Sequence, residues 1–73
     1  MDYTIKTQGL RCGHCDAAVE TALLSTPGVI DAEADHETQT VQVACDASVT
    51  IEQLSAAVES AGEGFAVLGV EQA

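Results

Sequence analysis

Basic residues are scarce in this sequence. Only Lys6 and Arg11 oppose twelve Asp and Glu residues, which gives a formal net charge of −10. Nucleic acids and anionic membrane surfaces are recognised by clustered Lys and Arg, so the composition excludes both as partners. The acidic residues are spread along the chain. We therefore expect a halophilic protein, adapted to a high-salt cytoplasm that screens its self-repulsion, rather than one steered toward a basic partner.

Long apolar runs are also missing. No stretch approaches the roughly 20 apolar residues of a membrane-spanning helix, and the N-terminus Met-Asp-Tyr-Thr-Ile-Lys lacks the pattern of a signal peptide. We therefore predict a cytoplasmic protein that does not insert into a membrane and whose cysteines stay reduced. Its three cysteines, an odd number, also fit poorly with a disulfide framework.

Aromatic residues are nearly absent, with one Phe, one Tyr and no Trp among 73 residues. A chain of this length has room for one domain, which we place at residues 1–73, and aliphatic side chains must fill its core. The sequence contains no Ser/His/Asp arrangement, Gly-rich phosphate loop or paired-carboxylate cleft. We therefore predict that the protein is not an enzyme.

Alternating apolar residues predict four strands, at 3–8, 29–35, 40–45 and 65–70. The alternation places on the core side of the first three strands Tyr3, Ile5, Thr7, Ile30, Ala32, Ala34, Val41, Val43 and Cys45. We read Cys45 as a buried core residue, because free cysteine behaves as a small hydrophobe.

Two helices are predicted, at residues 15–26 and 51–61. Helical spacing gives the first a buried stripe of Val19, Ala22 and Leu23. The second begins with a capping box, in which Thr50 is the N-cap and Gln53 follows three residues later. The apolar stripe of the second helix consists of Ile51, Leu54, Val58 and Ala61.

The resulting order of elements is βαββαβ. Each βαβ half needs a crossover helix, and both helices should cover the same face of the sheet. We therefore predict an α+β fold, a ferredoxin-like two-layer sandwich with a four-stranded antiparallel sheet and two helices on one face.

The chemistry of the chain is concentrated at Cys12 and Cys15, between the first strand and the first helix. Two intervening residues let both sulfur atoms converge on one ion, and the positive end of the helix favours thiolates. Soft thiolates suit Cu(I), Hg(II), Zn(II) and Cd(II). Two ligands satisfy Cu(I) or Hg(II), whereas a structural zinc site needs four.

The segment Cys-Gly-His-Cys also resembles the active site of protein disulfide isomerases, which makes a thiol-disulfide oxidoreductase the alternative function. In that case Cys12 would be the attacking thiolate and Cys15 the resolving thiol. The chain is short for a thioredoxin fold and has no Trp before Cys12. We therefore rank the metal site above the redox site.

The whole segment Gly9-Leu10-Arg11-Cys12-Gly13-His14-Cys15 resembles the Gly-Met-x-Cys-x-x-Cys motif of heavy-metal-associated domains, the family of copper chaperones and of the metal-binding modules of copper-transporting P-type ATPases. The resemblance extends over nearly the whole chain, with Leu10 in place of the usual Met. It implies that Cys12 and Cys15 bind Cu(I), with a Zn(II)- or Hg(II)-binding module of a metal transporter as a further alternative.

The resemblance also implies a partner and a mode of delivery. The metal would pass by ligand exchange to a copper-transporting P-type ATPase or to its metal-binding domain. A start at Met1 and an end just after the last strand favour a freestanding chaperone over an excised ATPase module. We expect a monomer without metal, and a metal-bridged dimer as the alternative assembly when metal is bound.

Three neighbours of the cysteines are candidates for supporting roles. Arg11 is placed to offset the negative charge of a bis-thiolate complex with Cu(I). His14 lies between the ligands and is expected to face solvent, with transient ligation during transfer as its alternative role. Phe65 is expected in the core, where it would shield the metal from water. His36 is interpreted as a hairpin residue distant from the site.

Overall fold

A computed structural model describes residues 1–62 and 64–72. Its elements are β1 (Asp2–Gln8), α1 (Gly13–Leu24), β2 (Val29–Asp35), β3 (Thr40–Cys45), α2 (Ile51–Ser60) and β4 (Ala66–Gln72). The strands form one sheet in the order β2-β3-β1-β4, with antiparallel pairing throughout. The ferredoxin-like βαββαβ prediction is confirmed.

The core lies between the sheet and the two helices. The two helices also contact each other. Its fully buried side chains are mostly aliphatic, as the shortage of aromatic residues predicts. Alternation along β1 and β3 determines the buried face of each strand, and the residues predicted to face the core there are buried: Tyr3, Ile5, Thr7, Val41, Val43 and Cys45. Val19 and Leu23 of α1 are fully buried against them.

The start of α2 follows its sequence signature. The Thr50 side chain accepts a hydrogen bond from the Gln53 amide at 3.1 Å, and the Gln53 side chain accepts one from the Thr50 amide at 2.9 Å. The predicted stripe is wrong at Ile51, which is 47% exposed. The first three residues of α2 are all exposed, so its buried stripe begins only at Leu54, and Ala57 is buried as well.

The prediction for β2 is wrong at Ile30, which is 72% exposed. Val29 pairs with Cys45 and Asp31 pairs with Ala44, so the register shifts between them and Ile30 has no partner opposite it. An extra residue of this kind interrupts the alternation of side chains between the two faces of the strand. This explains why Val29 packs against the core and Ile30 does not. Ala32 and Ala34 are buried as predicted.

Four elements have boundaries that differ from the prediction: β1 begins one residue earlier, α2 ends one residue earlier, and α1 and β4 differ at both ends. Helix α1 begins at Gly13 rather than at residue 15 and ends at Leu24 rather than at residue 26. Strand β4 begins after Phe65 and runs through Glu71 and Gln72, which were expected to form a tail. The predictions for Glu63 and Ala73 lie outside the described residues.

No helix in the described part of the chain has the length and apolarity needed to cross a membrane.

Candidate metal-binding site

Cys12 is the N-cap of α1 and Cys15 lies in the first turn of that helix. Cys12 has extended backbone dihedral angles, φ −160° and ψ 177°, and its carbonyl accepts hydrogen bonds from the amides of Cys15 and Asp16 at 3.0 and 3.2 Å. No side chain caps the helix at this point. The positive end of the α1 dipole therefore lies at the cysteine pair, where it stabilises negative charge on sulfur.

The two sulfur atoms lie close together. Cys12 Sγ and Cys15 Sγ are 3.9 Å apart, and both cysteines are free thiols. With a metal–thiolate bond of about 2.3 Å, the Zn–S length, two sulfur atoms are ~3.8 Å apart in tetrahedral coordination and ~4.6 Å apart in linear coordination. The observed separation lies between these limits, so one soft ion fits between the thiolates with a small side-chain movement.

The Cys12 thiol is predisposed to ionise. Its pKa is lowered chiefly by the backbone N–H of Cys15, and further by the N–H of His14 and by the Cys15 side chain. N–H groups near a sulfur atom interact more favourably with the thiolate than with the thiol, and this favours ionisation. Cys12 is exposed, so this thiolate is also accessible.

The lowered pKa leads to a prediction about thiol labelling. Because Cys12 ionises below the ordinary thiol range, its alkylation rate should already be high below pH 9.0, the reference thiol value, and should fall only as the pH drops through the lowered pKa. We expect the order Cys12, then Cys15, then Cys45, measured by mass spectrometry of the native protein after timed iodoacetamide exposure. Labelling of Cys45 before Cys12 would contradict both the burial and the electrostatics.

The half-buried Cys15 lines a shallow cleft together with Gly9, Arg11, Gly64 and Phe65. This cleft joins the loop before α1 to the loop before β4. Phe65 therefore lies on the same cleft as Cys15. The ring of Phe65 also packs against Gly62, where an added Cβ would lie 2.9 Å from its Cε2 atom.

The two loops approach each other at Gly9. Its φ of +103° is in the left-handed region, and an added Cβ would lie 2.3 Å from the Gly64 carbonyl oxygen. Glycine is required here for both the backbone angle and the space. This contact holds the loop before α1 against the loop that leads to Phe65.

The other predicted residues occupy different positions around the site. Arg11 and His14 are both exposed, and Arg11 lies on the cleft. Cys45 is fully buried in the core, as predicted, on the third strand. Within residues 1–62 and 64–72, no group of three or more His, Cys, Asp or Glu side chains is arranged to hold a metal ion. The candidate soft donors that the structure brings together here are the two free thiols of Cys12 and Cys15.

His36 lies closer to the two cysteines than the sequence analysis predicts. Its Nδ1 atom is 2.7 Å from Oδ2 of Asp16, the residue after Cys15. The Asp16 hydrogen bond raises the pKa of His36, and the His36 charge contributes to the lowering of the Cys12 pKa. The interpretation of His36 as distant is wrong because β2 runs alongside α1 and brings the hairpin to the first turn of the helix. No local sequence signal marks this pair.

Comparison with known proteins agrees with this geometry. Residues 4–64 match the model of the heavy-metal-associated domain. The chain is 41% identical over 59 residues to the copper chaperone CopZ of Staphylococcus aureus strain bovine RF122 / ET3-1, a match that covers 80% of this chain and 87% of that protein. The identity to the copper chaperone CopZ of Staphylococcus haemolyticus is 41% over 63 residues, covering 85% and 93%.

Solved structures give the same result. A CopZ metallochaperone superposes with a TM-score of 0.86 at 35% identity, covering 93% of this chain and 100% of that one. A copper-binding domain from HMA7, a P-type ATPase, superposes with a TM-score of 0.83 at 27% identity, covering 97% and 99%. The match to the family model, the identity to these relatives and the shared fold show that the chain belongs to the heavy-metal-associated domain family.

Proposed function

We propose that the protein is a carrier of Cu(I), which it binds as cargo between the thiolates of Cys12 and Cys15. The observation that carries this proposal is the pair of free thiols 3.9 Å apart at the N-terminus of α1. The relatives named copper chaperones support copper as the cargo. In this proposal the protein is a single heavy-metal-associated domain that binds and releases an ion without catalysing a reaction.

The donor set favours Cu(I) among the soft ions. Cu(I) accepts two thiolate ligands, whereas a structural zinc site is almost always tetrahedral. Two thiolates around Cu(I) carry a net charge of −1, and the amides at the start of α1 stabilise that charge. The exposed Arg11, at the cleft beside Cys15, is placed to offset it further. Zn(II), Hg(II) and Cd(II) are the competing ions.

Delivery follows from the exposure of the ligands. Cys12 is exposed and Cys15 is half-buried, so an incoming thiolate can reach the ion at Cys12 while Cys15 still holds it. The exposed His14 is placed to act as a transient ligand during that exchange. We propose a copper-transporting P-type ATPase in the same cytoplasm, or its metal-binding domain, as the recipient. The structural similarity of this chain to a copper-binding domain of a P-type ATPase supports transfer between two domains of the same fold.

A thiol-disulfide oxidoreductase is the second candidate. The lowered pKa of Cys12 favours it, because an attacking thiolate has the same electrostatic requirement as a metal ligand. The two functions differ in metal affinity and in the reaction with disulfide substrates, so one set of measurements separates them.

Anaerobic titration of the reduced protein with Cu(I), in the presence of a competing chelator, tests the carrier function. We expect one Cu(I) per monomer at protein concentrations that exclude dimers, and competition by Zn(II) only at large excess. Transfer of the bound Cu(I) to an ATPase metal-binding domain should follow on mixing. Insulin reduction without competitive Cu(I) binding would instead support the oxidoreductase.

A further inference from the structure

Gln39 has an unusual backbone conformation for its residue type. It is the last residue of the hairpin between β2 and β3, and its φ of +55° makes it the only residue other than glycine with a positive φ in the described chain. The left-handed region is costly for a side chain with a Cβ, and glycine would adopt it freely. A strained residue of this kind persists where the surrounding contacts compensate for it.

The side chain of Gln39 makes the compensating contacts, and they are directed at the loop that contains the cysteines. Its Oε1 atom accepts a hydrogen bond from the Leu10 amide at 3.2 Å, and its Nε2 atom donates to the Leu10 carbonyl at 2.5 Å. Nε2 also donates to the His36 carbonyl at 2.7 Å, within the hairpin. Because Leu10 presents one donor and one acceptor, only one orientation of the amide satisfies both.

Leu10 is the residue through which this contact reaches the metal ligands. It lies two residues before Cys12, and its side chain is 4% exposed and packs in the core. The buried side chain anchors the loop to the core. The Gln39 side chain forms hydrogen bonds with the amide and the carbonyl of Leu10, the two backbone groups that strand pairing would otherwise satisfy. The hairpin also contacts the chain on the C-terminal side of the cysteines, where His36 forms a hydrogen bond with Asp16.

We propose that Gln39 is a positioning residue for the metal site, which holds the loop of Cys12 in place through the backbone of Leu10 and so sets the affinity for the ion. The part concerning affinity rests on the proposed carrier function, whereas the effect on the loop does not. The left-handed backbone conformation of Gln39 directs its side-chain amide at Leu10. The strained hairpin residue therefore helps to keep the loop of Cys12 ordered. Outer partners that orient ligands in this way typically change metal affinity by about 10–100-fold.

Substitution Gln39→Gly separates the positioning role from a purely structural one. Glycine removes the hydrogen bonds to Leu10 and relieves the positive φ, and it keeps the Gln39 carbonyl that accepts from Thr7 N and Oγ1 at 2.8 and 3.0 Å. Gln39→Glu is the companion variant, since it retains an acceptor for the Leu10 amide but loses both donated hydrogen bonds. Gln42→Ala is the matched control, an exposed glutamine on β3 whose Oε1 atom accepts from Thr4 Oγ1 at 3.0 Å.

Three measurements report the outcome: hydrogen exchange of the Leu10 amide by NMR, Cu(I) affinity by anaerobic chelator competition, and the urea midpoint of unfolding. For Gln39→Gly we expect Leu10 exchange to accelerate by about tenfold or more, as expected when a local hydrogen bond is lost without global unfolding. Cu(I) affinity should fall by about 10–100-fold with the unfolding midpoint close to that of the wild type. Gln39→Glu should lower Cu(I) affinity at least as far, and Gln42→Ala should leave Leu10 exchange and Cu(I) affinity unchanged.

Unchanged Leu10 exchange in Gln39→Gly would overturn the proposal, as would a Cu(I) affinity equal to that of the wild type in a variant whose loop is loosened. A fall in affinity accompanied by an equal loss of global stability in both Gln39 variants would also overturn it, because the role would then be structural. If the wild type itself fails to bind Cu(I), the carrier function fails. In that case hydrogen exchange of the Leu10 amide still decides whether Gln39 positions the loop.

Discussion

Replacing either cysteine of the pair by serine should lower Cu(I) affinity by at least about 1,000-fold, equivalent to about 4 kcal/mol. A serine hydroxyl stays protonated at neutral pH and is a hard donor, so Cys12→Ser and Cys15→Ser each leave a single thiolate for the ion. Loss should be similar in the two variants because Cys12 and Cys15 are the only cysteines near the site. Competition with a Cu(I) chelator under anaerobic conditions measures the change.

The third cysteine provides the control. Cys45 is fully buried on β3, so Cys45→Ala should reduce the free energy of unfolding through lost packing, by about 1 kcal/mol. It should keep one-to-one Cu(I) binding at wild-type affinity. Cys12 is exposed, and Cys12→Ser should unfold at the wild-type urea midpoint. Retention of tight binding by either serine variant would refute the assignment of the ligand pair.

Substitution Gly9→Ala should destabilise the fold by about 3 kcal/mol and should also disturb the metal site. The new Cβ would lie 2.3 Å from the Gly64 carbonyl oxygen, and the φ of +103° is strained for alanine. Backbone strain costs about 1–3 kcal/mol and an overpacked contact costs a similar amount. Because the clashing atom belongs to the backbone, one of the two loops must move. The cleft between Cys15 and Phe65 should therefore change shape.

Gly13→Ala is the matched control for this experiment, on the other side of Cys12. Gly13 is the first residue of α1, has no positive φ, and an added Cβ would have no heavy atom within 4 Å. Alanine favours the helix, so stability should stay the same or rise by up to about 1 kcal/mol. Urea unfolding measures stability, and the NMR shifts of Cys15 and Phe65 report the cleft. Equal stability of Gly9→Ala and Gly13→Ala would contradict the close approach at Gly9.

Local sequence signals predicted those parts of the fold that depend on residues near in sequence. The capping box of Thr50 and Gln53 depends on a three-residue spacing, and the alternation along β1 and β3 depends on neighbouring positions. Predictions failed where a tertiary contact overrides the local period. Ile30 is exposed because a register shift against β3 displaces it, and Ile51 is exposed together with the two residues that follow it at the start of α2.

The sequence alone determined the order of elements, the burial of Cys45, and the placement of the Cys12 and Cys15 pair between a strand and a helix. These features follow from spacing and side-chain chemistry. Only the tertiary structure decided which distant residues surround the pair. His36 meets Asp16 and Gln39 meets Leu10 across separations of 20 and 29 positions. Such contacts depend on how β2, β3 and α1 pack, because no local pattern encodes the direction of a side chain toward a loop far away in the chain.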